Sequence, residues 1–123
     1  MSLEFVIAPA PVERLDLSDV ACTSLMTLAC RARESASDSP ILDDPGAVRV
    51  LQRLAPALER SSNPLFQSVA AGEIDRAAQI YVSLRARRFD RYARDFMRRH
   101  PDGVIVNLGC GFDTRCFRLG IGG

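Results

Sequence analysis

Lysine is absent from this chain of 123 residues: all 16 of its basic side chains are arginine. Such a skew is the ordinary result of a GC-rich coding sequence, although arginine clusters also serve anion recognition. Fifteen acidic residues reduce the net charge to +1, which excludes a global pull toward nucleic acid or an anionic membrane. Histidine occurs once, at His100, and Cys22, Cys30, Cys110 and Cys116 show neither C-x-x-C nor His-paired spacing, so no zinc site is legible. The thiols read as reduced cysteines of a cytoplasmic protein. Long apolar runs are missing too. The opening "MSLEFVIAPAPVERLDL" has no basic leader and is broken by Pro9 and Pro11, which excludes both a signal peptide and a spanning helix. What remains is 47% hydrophobic and 25% charged residues, the balance of one globular domain with a modest core.

Residues 1–17 read as a loosely ordered lead with two prolines, and 18–102 as a helical region. Ser18 or Asp19 can cap a first helix, in which Ala21, Leu25, Leu28, Ala29 and Ala32 recur at three- and four-residue steps. Asp44 caps a short second helix that has Pro45 at its first position and Val48, Leu51, Leu54 and Leu58 on one side. Residues 61–72 read as a connector. Residues 73–100 carry the longest helical signal, closed by "HPDG". Val104, Ile105, Val106 and Leu108 then suit one β-strand buried on both faces.

That strand runs into Gly109-Cys110-Gly111, where backbone without a Cβ can approach a ligand closely. The dinucleotide pattern G-x-G-x-x-G fails at Thr114, and no helix signal follows, so an oxidoreductase fragment is disfavoured. A plain structural turn would equally account for two glycines.

The full string "VIVNLGCGFDTRCFRL" closely resembles the first S-adenosylmethionine-binding motif of the leucine carboxyl methyltransferase family, which includes bacterial O-methyltransferases of polyketide biosynthesis. "RARES", "ILDDPGA" and "SLRARRFDRYARDFM" are similar to further stretches of that family, in the same order. The resemblance implies an α/β, Rossmann-like methyltransferase fold. Of that fold this chain would hold the helical cap and, in 103–123, the first strand and glycine turn. It implies S-adenosylmethionine as cofactor, with Gly109, Cys110, Gly111 and Asp113 shaping the turn, and a small-molecule or peptide-carboxylate methyl acceptor. The catalytic residues, and those for ribose and adenine, have no counterparts here. The chain is therefore expected to be the amino-terminal part of a longer enzyme, and to bind the cofactor weakly or not at all when alone.

An independent argument comes from the long helix. At about 100° per residue, Ile74, Ala78, Tyr81, Leu84, Phe89, Tyr92 and Phe96 form one apolar stripe, with Arg76, Gln79, Ser83, Arg87, Asp90, Arg94 and Arg98 opposite. Arg85 lies about 20° from Ile74 and Tyr92, so its guanidinium is expected to face inward. An internal salt bridge to Asp113 or Asp44, or a snorkelling side chain, would satisfy it. So would the carboxylate of a bound amino acid, which a guanidinium grips in bidentate fashion. The family resemblance favours the second, with Arg31 as a further basic partner and Arg33 as its substitute. Arg115 and Arg118 are expected to tie the turn to the helices, and His100 to be an ordinary helix-end residue. A helical interaction module that self-associates through its exposed strand is the non-enzymatic alternative.

Overall fold

The computed structural model describes residues 12–121. Most of the expected lead, residues 1–11, and the last two glycines of the terminal "GIGG" lie outside the described residues. Among the described residues five helices follow one another: α1 (Asp19–Ser35), α2 (Pro45–Arg60), α3 (Pro64–Ala70), α4 (Arg76–Arg99) and the single turn α5 (Arg115–Arg118).

Each of the first four helices starts where its cap chemistry permits. Ser18, Asp44, Asn63 and Asp75 accept from the N–H groups of Ala21, Ala47, Leu65 and Ala78, respectively, meeting donors that the helices cannot satisfy internally. Pro45 and Pro64 occupy first positions. α2 continues past Pro56, which withholds an amide donor within it, and so is longer than its sequence pattern suggests. α3 replaces the expected connector. Its seven residues are too few for a clear period, and burial of Phe66 and Val69 holds them in place.

α1 is the hub. Leu25, Leu28 and Ala29 are fully buried, against Ala47, Leu54 and Leu58 of α2 and Phe66 and Val69 of α3. Each leucine so enclosed contributes about 1.5–3 kcal/mol. Val12, Leu15 and Leu17 pack on this cluster from outside, and the Val12 N–H donates to the Arg53 carbonyl at 3.2 Å.

α4 sits on α1 the opposite way round from the expectation. Its buried residues are Gln79, Ser83 and Asp90, whereas Tyr81, Leu84, Phe89 and Tyr92 are 48–64% exposed. The reason is charge satisfaction. Glu34 of α1 is wholly buried, and its carboxylate accepts from Gln79 Nε2 (2.7 Å), Arg76 Nη1 (3.0 Å) and the Ile41 N–H (2.9 Å). Turning the apolar stripe inward would strand that carboxylate, at a cost of several kcal/mol.

A second expectation fails at residues 104–108. No β-strand occurs among the described residues. The segment is extended and exposed, with Val104 at 80% and Leu108 at 86%, and its backbone bonds to no other described backbone group. The apolar, β-branched composition favours a strand, but no described neighbour offers a ladder. Ile105, at 39% exposed, is the partly covered member of the segment and shares a shallow cavity with Met97 of α4 and Cys116 of α5.

Candidate functional site

The glycine turn reaches the helices through an arginine–aspartate cluster. Asp44, fully buried, caps α2 with Oδ1 and accepts from the Thr114 hydroxyl through both oxygens (2.7 and 2.6 Å). Arg118 Nη1 and Arg31 Nε meet its Oδ2 at 2.7 and 3.2 Å. Asp90, which the helical pattern assigns to solvent, is buried beneath Arg115 (Nε at 3.1 Å) and Arg118, which forks onto it at 2.7 and 2.9 Å. Arg115 and Arg118 thus tie the turn to α2 and α4.

Protonation follows this geometry. Burial pushes Asp44 up, but hydrogen bonds from Thr114 and Ala47, together with the charges of Arg118 and Arg31, outweigh it and hold the carboxyl below its ordinary value. Burial likewise pulls the Arg31 guanidinium down, and Asp44 opposes it. For Arg118 the bonds and charges of Asp90 and Asp44 overcome burial, raising it.

Beside the cluster lies an open cavity of about 310 Å³. α1 lends it Thr27 and Arg31, α4 lends Val82, Arg85, Ala86 and Phe89, and the turn region lends Asn107, Gly109, Cys110, Asp113 and Arg115. Five of the six candidate residues therefore meet at one place. Gly111 is the exception: its φ is +49° and a Cβ there would stand 2.8 Å from Ser24 Cβ, so it serves the seating of the turn on α1. Gly109, at φ +59°, has open space where a Cβ would stand.

The cavity's cations differ. Arg31 is committed to Asp44 and, through Nη2, to the Phe112 carbonyl at 2.6 Å. Arg85 is exposed rather than inward-facing, because α4 presents its other face to α1. Neither Asp113 nor Asp44 pairs with it; no ion pair among the described residues includes Arg85, whose ring contact is with Tyr81 at 5.8 Å. Asp113 accepts from Asn107 Nδ2 (2.7 Å) and the Arg115 N–H (3.1 Å) and pairs with the Arg115 guanidinium at 3.2 Å. It therefore braces the turn as well as lining the cavity. Arg33 is elsewhere, donating to the Gly72 carbonyl. His100 is exposed and stacks on Phe96.

Sequence reasoning missed Asp90 and the second role of Asp44. Gln79, Ser83 and Asp90 share a helix face at spacings of four and seven, a signal of a second packing face that the stronger aromatic stripe obscures. Thr114, where the dinucleotide pattern would need glycine, is buried and bonded to Asp44, so its hydroxyl holds the turn down.

Helices α1 and α4, the two-glycine turn and the open cavity that Arg31, Arg85, Arg115 and Asp113 line between them make up the candidate site. The leucine carboxyl methyltransferase family profile matches residues 24–121, and the chain belongs to that family. It is 32% identical over 89% of its length to the tetracenomycin polyketide synthesis O-methyltransferase TcmP of Streptomyces glaucescens. To the S-adenosyl-L-methionine-dependent methyltransferase dpfgK of Gibberella zeae it is 31% identical over 79%. These alignments take in 36% and 32% of the relatives, so the chain spans about a third of the length of the curated proteins it matches. No solved structure matches. Among the described residues, no helix is long and apolar enough to cross a membrane.

Proposed function

We propose that this chain supplies the amino-acid end of an S-adenosylmethionine site in an O-methyltransferase acting on a carboxyl or hydroxyl group of a small molecule or a peptide terminus. The observation that carries the proposal is Arg85, a cation without a carboxylate partner among the described residues, on a cavity it shares with Arg31, Asp113 and the bare main chain of Gly109. Such a site fits a zwitterion: Arg85 forks onto the carboxylate, Arg31 adds positive charge beside it, and Asp113 faces the ammonium. Gly109 lets the ligand chain pass close to the backbone. When bound, the cofactor supplies a methyl group activated by a cationic sulfur. This chain's residues contribute by holding the amino-acid end still, so that orientation lowers the barrier; none of them is assigned as a general base.

Two charge-assisted contacts at an open site support a dissociation constant of about 1 mM, or roughly 4 kcal/mol, for the chain alone. Chemical-shift titration of the chain with S-adenosylhomocysteine tests this. Shifts should centre on Arg31, Arg85 and residues 109–113, with an affinity in that range. Micromolar affinity, or shifts scattered elsewhere, would contradict the reading. Free thiols throughout the described residues suit a reducing cytoplasm, and the uncovered segment 104–108 suits self-association by strand pairing.

A further inference from the structure

We propose that Arg118 is a positioning residue for this cavity, acting through Asp44 on Arg31 and through Asp113 on the glycine turn; the inference rests on reading the cavity as the amino-acid subsite. Arg118 is not among the cavity's lining residues. Its side chain is 3% exposed, with Nε and Nη2 on Asp90, Nη1 on both Asp44 Oδ2 and Thr114 Oγ1 (2.9 Å), and Nη2 at 3.6 Å from Asp113 Oδ1. One planar group therefore fixes α2, α4 and both ends of the Asp113–Thr114 step.

The charge balance shows why this matters for a ligand. Arg31, Arg115 and Arg118 face Asp44, Asp90 and Asp113, three against three, so the cluster is neutral and Arg85 carries the cavity's surplus positive charge. Arg31 and Arg118 share one oxygen, Asp44 Oδ2. Without the Arg118 fork, Asp44 attracts Arg31 unopposed and draws its guanidinium off the ligand, while Asp113 is left with Arg115 alone as its link to Asp90 of α4. Lysine cannot replace the fork, since a point charge on a flexible stem cannot hold Asp90 and Asp44 together.

Arg118→Lys tests this by two readouts. The first is amide exchange, expected to speed up at least tenfold in 109–115 while the core amides of 25–32 keep their protection; unchanged exchange in the turn, or uniform acceleration through both segments, would overturn the proposal. The second is ligand discrimination. Affinity for S-adenosylhomocysteine should fall about tenfold, toward that for 5′-methylthioadenosine, which lacks the amino-acid end and whose affinity should not change. Equal losses for both ligands, or none, would overturn the effect on Arg31. If the wild-type chain ignores both ligands the cofactor reading fails, and the exchange pattern alone then upholds or overturns the positioning of the turn.

Discussion

Replacing Asp44 by alanine removes a wholly buried carboxylate, and the size of the effect can be worked out from the contacts. The carboxylate caps α2 through the Ala47 N–H, and losing such a cap costs about 1 kcal/mol. It also neutralises Arg31 and Arg118 from a wholly buried position, and removing one partner of a buried pair costs about 3–5 kcal/mol. Arg118 keeps Asp90, which places the second contribution near the lower figure. The sum is about 4 kcal/mol, a large share of the roughly 5–15 kcal/mol that holds a domain together. Asp44→Asn retains an oxygen for the cap but no charge, and should lose about 2 kcal/mol. Urea unfolding followed by far-ultraviolet circular dichroism measures both. A loss below about 1 kcal/mol for Asp44→Ala would show that the residue is only a cap and that the arginines do not depend on it.

Further outcomes follow from the same structure. Gly111→Ala should destabilise more than Gly109→Ala, because both sit at positive φ but only the first meets Ser24; left-handed backbone alone costs about 1–2 kcal/mol, and equal midpoints in urea would refute the distinction. Stability should fall in acid. Asp44, and Glu34 through bonds from Ile41 and Gln79 and the charge of Arg76, are held below their ordinary values, so the unfolded chain takes up protons first. The stabilisation is complete above the usual carboxylate range and lost as pH falls through the depressed folded values. Asp44→Asn should flatten that slope, and an unaltered acid profile would contradict it. Leu108→Glu should abolish any concentration dependence in sedimentation, since a charge on an uncovered strand edge opposes pairing; an unchanged profile would assign self-association to another surface.

The first two helices and their caps were legible in the sequence because Ser18, Asp44, Pro45 and the run around Leu25 and Leu28 act locally, whereas α3, read as a connector, and α5, where no helix signal was seen, were not. The orientation of α4 was not. A helix with aromatic residues on one face and Gln79, Ser83 and Asp90 on the other is read by its apolar face, yet here the buried charge of Glu34 and the two arginines of α5 decide which side turns inward. Residues 104–108 show the reverse limit: strand propensity is local, but a strand exists only with a neighbour to bond. Five of the six residues that motif and resemblance single out line one cavity. The inward pointing of Arg85, which the helical arithmetic requires, is not how it gets there. It arrives on an exposed face at the cavity's edge.

The charge on Arg85 is the centre of the account, and Arg85→Ala compared with Arg87→Ala, on the opposite face of α4, tests it most directly. In chemical-shift titrations with S-adenosylhomocysteine, the first variant should lose at least tenfold in affinity and the second should bind as the wild type does. Equal affinity for Arg85→Ala and the wild type would contradict the assignment of the cavity to a ligand carboxylate.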